Sequence, residues 1–163
     1  MAKHYNVLFL CTGNSARSIM AEALLNKEGF PNFTAYSAGS RPSDKIRPEA
    51  LHQLEISGLS TFGFRSKSWD EFVRPDSPKF DFIFAVCDNA ASEPCPVWPG
   101  HPVTAHWGIP DPAAVQGTPD EIERAFKNAF VELERRIDLF LALPLASLDQ
   151  LELENKLSQI ANG

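Results

Sequence analysis

The sequence predicts a single α/β domain, a four-stranded parallel sheet flanked by helices. Three observations predict it. Short apolar runs of strand length alternate with segments of helical periodicity along the whole chain. A length of 163 residues suits one compact core. No internal repeat, low-complexity tract or linker divides the chain, and the proline-rich stretch from Glu93 to Pro112 reads as long functional loops.

The first strand is Tyr5 to Leu10 (YNVLFL), which ends in a polar loop. A helix follows from about Arg17 to Glu28, with Met20, Ala21, Leu24 and Leu25 at helical spacing. Phe33 to Ser37 is the second strand, closed by Ala38-Gly39. Pro48 opens a second helix carrying Ala50, Leu51, Leu54 and Ile56. Phe80 to Val86 (FDFIFAV) is a buried strand, and Pro102 to Trp107 is a weaker one. The clearest helix begins at Thr118-Pro119-Asp120-Glu121, where Thr118 and Glu121 make a capping box. Its apolar face runs from Ile122 through Phe126, Phe130, Leu133, Ile137 and Phe140 to Leu141, and Pro144 stops it. Ser147-Leu148-Asp149-Gln150 reads as a second capping box, opening a short helix that carries Leu151 and Leu157. Residues 1–143 form the domain, and residues 144–163 form a C-terminal helical extension that packs back on it.

The formal net charge of −6 argues against a nucleic-acid or anionic-membrane surface. No stretch approaches the ~18 apolar residues of a membrane helix. The start of the chain lacks a signal-peptide pattern, so a cytoplasmic protein is expected. Three cysteines cannot all pair within one chain. In a reducing compartment they read as packing residues, ligands or catalytic thiols.

Cys11 follows the first strand directly, and Arg17 lies six positions later at a helix start. A strand-to-helix loop can turn backbone N–H groups inward, and the helix N-terminus adds positive potential. The segment Thr12-Gly13-Asn14-Ser15-Ala16-Arg17 therefore reads as an oxyanion-binding loop. Gly13 is expected to permit its sharp path. Arg17 offers a bidentate fork to a tetrahedral anion. The same field lowers the pKa of Cys11, whose thiolate is the reactive form, and Ser18 can donate a hydrogen bond to it.

Cys11 to Ser18 (CTGNSARS) resembles the phosphate loop of the low-molecular-weight tyrosine phosphatase family, and more closely its arsenate reductase branch. Ser37-Ala38-Gly39 resembles that family's second-strand motif. The segment from His106 to Ala113 (HWGIPDPA) is similar to the acid loop of the arsenate reductases. The resemblance spans about residues 5 to 141. It implies a Rossmann-like three-layer fold, a monomer, and Asp111 as the general acid on the leaving oxygen. The phosphatase branch places a stacking aromatic after this Asp-Pro, whereas Ala113 and Ala114 follow here. That difference favours arsenate over an aryl phosphate, with phosphate or sulfate as mimics.

The resemblance also implies a relay. Cys11 attacks arsenate, Cys87 attacks Cys11 to release arsenite, and Cys95 draws the disulfide out to Cys87–Cys95. No tightly bound cofactor or metal is expected; an external thiol system supplies the electrons, and the purpose is arsenic detoxification. Thioredoxin-coupled members keep one residue fewer between the matching cysteines than the seven found here. The reductant therefore stays open between thioredoxin and glutathione with glutaredoxin. Two other readings of the pair stand beside the relay: Cys87 as a packing thiol, or both as zinc ligands with His101 or His106, for which their spacing is long. A phosphatase forming a phosphocysteine, and a non-catalytic redox or oxyanion sensor, are the alternative functions. Some reductases of this family bind potassium beside the loop, through positions that match Asn14, Glu22 and Ser37. Lys67 falls near the acidic member of that site. Its ammonium is expected to take the ion's place, pair with Glu22 and make activity potassium-independent.

Overall fold

A computed structural model of the chain describes residues 3–86 and 102–162. Four strands form one parallel sheet: β1 (Tyr5–Cys11), β2 (Phe33–Gly39), β3 (Phe82–Ala85) and β4 (Val103–His106), in the order β2-β1-β3-β4. The helices among the described residues are α1 (Arg17–Glu28), α2 (Pro48–Ile56), α3 (Pro119–Leu141) and α4 (Gln150–Asn162). The expected fold class is the observed one. Strand limits differ from the sequence reading by a few residues. The largest difference is in β3, where Phe80 and Asp81 precede the ladder.

The order of strands matters for the site. From β1 the chain crosses to β2 on one side, while β3 lies on the other. The strand order therefore reverses between β1 and β3, the place at which open parallel sheets bind ligands. Cys11 is the last residue of β1.

Alternation along β1 divides the core. Val7, Phe9 and Cys11 face one side, where the main cluster gathers apolar residues from all four helices. Leu8 and Leu10 face the other, covered by Trp69, Phe72 and Phe80. Trp69 and Phe72 sit on the short 3-10 turn Trp69–Phe72. Tyr36, Phe72 and Phe80 meet edge to face with centroids 5.4–5.7 Å apart, a favoured aromatic geometry.

The cap of α3 is the one expected. Thr118 Oγ1 accepts from the Glu121 N–H at 3.2 Å, and Glu121 Oε1 accepts from the Thr118 N–H at 3.3 Å. The cap of α4 is not. Asp149 Oδ1 accepts from the Glu152 N–H at 2.8 Å and Glu152 Oε1 from the Asp149 N–H at 3.2 Å, so the box is Asp149/Glu152. Ser147 instead closes the 3-10 turn Leu145–Ser147 by donating to the Pro144 carbonyl. The later start rotates the helix so that Leu153, Leu157 and Ile160 are buried, while Leu151 is 66% exposed. Leu157 was expected inside; Leu151 is replaced by its neighbours at i+2 and i+9. The extension packs on β4 and α3, and its three apolar residues join the main cluster.

Glu28 on α1 lies against Asp138 and Glu134 of α3. Partial burial, the shared hydrogen bond with Asp138 and the nearby carboxylates push it up to about 7, against the pull of Lys27. A carboxyl raised in the folded state holds a proton that the unfolded chain gives up near 4.5. Its contribution is therefore complete at low pH and is lost as pH rises through about 7. Melting temperature is expected to fall between pH 5 and pH 8, and Glu28→Gln to reduce that fall, as read by thermal denaturation across a pH series.

Candidate functional site

The loop from Cys11 to Arg17 is shaped from outside. The Thr12 carbonyl accepts from the Arg41 N–H at 2.9 Å, the Gly13 carbonyl from the Ser43 N–H at 3.0 Å, and the Ser15 carbonyl from the Arg47 N–H at 2.9 Å. Ser66 Oγ adds a second donor to the Gly13 carbonyl at 3.1 Å. A trans peptide points its N–H opposite to its C=O. Carbonyls drawn outward thus turn the N–H groups of Gly13, Asn14 and Ala16 toward the centre of the loop. The N-terminus of α1 has no side-chain cap. Its first-turn N–H groups and dipole complete an anion cradle beside Cys11.

The left-handed turn in this loop belongs to Asn14, at φ 47°, and not to Gly13 as expected from sequence. Gly13 has a negative or extended φ, and a Cβ there would meet only Ser15 Oγ at 3.5 Å. Asparagine tolerates the left-handed region, and here its amide is anchored at both ends. Asn14 Oδ1 accepts from the Lys67 N–H at 2.9 Å, and Asn14 Nδ2 donates to Ser18 Oγ at 2.8 Å. Both Asn14 and Ser18 are fully buried. With Ser18 accepting from Asn14, its own O–H remains to be donated, as its expected role toward a Cys11 thiolate requires. The glycine the loop does need is Gly39. A Cβ there would lie 2.5 Å from the Thr12 carbonyl oxygen and 2.9 Å from that of Cys11.

Arg17 and Asp111 come together across 92 and more residues of sequence. Arg17 Nη1 donates to the Ile109 carbonyl at 3.0 Å, and Nη2 lies 3.6 Å from Asp111 Oδ2. The arginine side chain is 12% exposed and that of Asp111 43% exposed, so the guanidinium forms a floor and the carboxyl a lip. Asp111 Oδ1 accepts from the Ala113 N–H at 2.9 Å, capping the short 3-10 turn Pro112–Ala114. Ala113 and Ala114 give this rim no aromatic face. Cys87, Cys95 and His101 lie outside the described residues. Val86, which precedes Cys87 in sequence, donates its N–H to the Leu10 carbonyl at 2.9 Å, beside the end of β1.

Under the loop sits a buried ionic group. Lys67 Nζ is 4.0 Å from Glu22 Oε1, with side chains 9% and 15% exposed. Glu22 also accepts a short hydrogen bond from Ser37 Oγ, and Lys67 Nζ donates to the Arg65 carbonyl at 3.0 Å. Burial pushes Glu22 up and Lys67 down, and each opposes the shift of the other. This is the pairing that the sequence suggested for Lys67.

One site residue was missed. Arg136 of α3 is 7% exposed. Its Nη1 donates to the Trp107 carbonyl at 2.7 Å and the Gly108 carbonyl at 3.3 Å, at the entry to the Asp111 loop. A signal existed. Arg136 stands three positions after Leu133 and four before Phe140, on the apolar stripe of its helix.

Residues 6–155 match the family model described as low molecular weight phosphotyrosine protein phosphatase. An arsenate reductase of Bacillus licheniformis is 33% identical over 135 residues, which cover 82% of this chain and 93% of the relative. The crystal structure of an arsenate reductase from Archaeoglobus fulgidus is similar at a TM-score of 0.66 and 29% identity, covering 84% of this chain and 99% of that one. A thioredoxin-dependent arsenate reductase of Corynebacterium glutamicum shares the fold at a TM-score of 0.56 and 24% identity, covering 85% of this chain and 64% of that one.

The Lys67–Glu22 pair predicts how the loop responds to cations. Phosphate affinity of the wild type, measured by calorimetry, is expected to be the same in potassium, sodium or choline chloride at one ionic strength. Lys67→Ala is expected to weaken it about tenfold, because Glu22 is then left buried without its cation. Strong potassium enhancement of the wild type would count against this role for Lys67.

Proposed function

The chain belongs to the low molecular weight phosphotyrosine protein phosphatase family, and we propose that within it this protein reduces arsenate to arsenite. The observation that carries the reading is the acid rim. Asp111 stands beside Arg17, and Ala113 and Ala114 after it present methyl groups rather than an aromatic ring. A compact inorganic oxyanion needs no stacking surface. The arsenate reductase relatives point the same way.

In this reading the Cys11 thiolate attacks arsenic. An As–O bond breaks, and its oxygen leaves as water once Asp111 has protonated it, with charge on the remaining oxygens held by Arg17 and the loop N–H groups. The product is a thiol–arsenate adduct on Cys11. Cys87 then attacks the Cys11 sulfur. An S–S bond forms, the As–S bond breaks, and its electron pair stays on arsenic, which departs as arsenite. Cys95 attacks Cys87, returning Cys11 as a thiolate and leaving a Cys87–Cys95 disulfide. An external thiol system, thioredoxin or glutathione with glutaredoxin, reduces that disulfide by exchange. The sheet order supports the first transfer. Cys11 ends β1, and Val86, the residue before Cys87 in sequence, donates its N–H to the Leu10 carbonyl.

The same cradle suits phosphate esters, so hydrolysis through a phosphocysteine is the second reading, with Asp111 and Arg17 in similar roles. No helix among the described residues is long and apolar enough to cross a membrane.

Arsenate-dependent NADPH oxidation, coupled to thioredoxin and its reductase or to glutathione, glutaredoxin and glutathione reductase, tests both readings against aryl phosphate hydrolysis. Arsenate turnover is expected with at least one thiol system. Cys87→Ala is expected to abolish multiple turnover, and Asp111→Asn to lower kcat about 100-fold. Multiple turnover surviving in Cys87→Ala would sink the relay. Hydrolysis with no arsenate turnover would leave the phosphatase reading.

A further inference from the structure

We propose that Arg136 is a positioning residue for the acid Asp111, clamping the backbone that leads into the acid loop; this rests on the role given to Asp111 above. A buried guanidinium is retained only where its donors are met. Nη1 and Nε of Arg136 are spent on the loop and on one carboxylate. Nη1 donates to the Trp107 and Gly108 carbonyls, at 2.7 and 3.3 Å, and Nε donates to Glu132 Oε2 at 2.8 Å. Arg17 Nη1 takes the next carbonyl, that of Ile109, at 3.0 Å. Three consecutive carbonyls are thus held by two guanidinium groups, one at the start of α1 and one on α3. Asp111 follows between Pro110 and Pro112, whose fixed φ angles carry the pose of the clamp forward to the carboxyl.

A second anchor acts on the same residue. Trp107 is fully buried and stacks on Phe84 with centroids 4.0 Å apart. Its indole N–H donates to the Leu157 carbonyl of α4 at 3.1 Å. The ladder continues through it, with the Trp107 N–H on the Ala85 carbonyl at 2.7 Å and the Ile109 N–H on the Val86 carbonyl at 3.1 Å. What fixes the root of the acid loop is therefore a strand end with helices on it, and the guanidinium sets how the chain leaves that strand. Glu132 accepts from this guanidinium and from that of Arg135, and the contacts that Arg136 makes toward the loop are to backbone carbonyls. Arg136 thus acts on the site by geometry. A lysine would keep the charge without the fork that reaches both Glu132 and the loop carbonyls.

The test is a cycle of Arg136→Lys, Asp111→Asn and the double variant, assayed with arsenate and with aryl phosphates of good and poor leaving groups. Hydrogen exchange of the Ala113 amide, which donates to Asp111, is read alongside. Arg136→Lys is expected to lower kcat about tenfold, with KM changed less than about twofold. The loss should be larger for the poor leaving group and should vanish in the Asp111→Asn background. Ala113 exchange should quicken. Losses that add to those of Asp111→Asn would overturn the proposal. So would an unchanged kcat and unchanged Ala113 exchange beside a lowered melting temperature. A wild type inactive on both substrates would defeat the functional reading, and Ala113 exchange alone would then decide the positioning. Should Arg136→Lys fail to fold, Arg136→Gln takes its place under the same criteria.

Discussion

The site depends on carbonyl oxygens being held away from it. A seven-residue cradle for an anion, as proposed, is a run of peptide dipoles that must all point one way, and bonds from outside the loop help to enforce that. The enforcement comes from the segment after β2. Its N–H groups at Arg41, Ser43 and Arg47 take the Thr12, Gly13 and Ser15 carbonyls in turn. The segment can run so close only because Gly39 has no side chain where the Thr12 and Cys11 carbonyls pass. It then becomes α2 at Pro48, so packing of that helix against α1 and α3 transmits directly to the loop. A cradle built this way is rigid before any anion arrives, which is the condition for strong electrostatic stabilisation.

Sheet topology supplies the second constraint. Parallel strands deliver every loop at their C-terminal ends to one edge of the sheet, and the β2-β1-β3-β4 order opens a gap between β1 and β3. The Arg17–Asp111 contact spans that edge, joining the loop after β1 to the loop after β4. Three chain segments far apart in sequence thus meet without any long excursion. The covered β4 side carries a further benefit. With α4 packed on it, the strand that launches the acid loop is fixed along its length and its ladder ends firmly at Ile109.

Much of this was legible in the sequence, for identifiable reasons. Apolar periodicity marks α1 and α3 because each buries one face against a single cluster, and the continuous apolar run marks β1 because both of its faces are buried. The capping box at Thr118 was readable because both partners lie within one turn and no tertiary contact competes. The box at the start of α4 was misread for a tertiary reason: two overlapping patterns fit, and burial of Leu153 and Ile160 rather than Leu151 selects the later one. Cys11, Arg17 and Asp111 were proposed from pattern, and the contacts that support their segments were hidden. That Asn14 rather than Gly13 takes the left-handed turn follows from partners at Lys67 and Ser18. The first of those partners is distant in sequence. Arg136 was passed over because an arginine in a long helix reads as solvated until its place on the stripe is counted.

The charge distribution is compatible with the proposed binding of a multiply charged anion by a chain of net charge −6. Charges farther than about 8 Å through solvent are largely screened at physiological ionic strength, so the acidic surface does little at the loop. Near the loop the cations differ in what they can offer. Lys67 faces Glu22, which offsets its field locally, while Arg136 shares the single carboxylate of Glu132 with Arg135. Arg65 is tied to Glu71, whose carboxyl it holds below the usual range. Arg17 faces the half-exposed carboxylate of Asp111 at 3.6 Å, which a tetrahedral anion can replace. Attraction is thereby concentrated on one guanidinium and the peptide dipoles around Cys11, while the paired cations serve to hold backbone. In the proposed reading, what an acidic protein needs in order to bind an anion at one point is this local guanidinium and these peptide dipoles, and not its net charge.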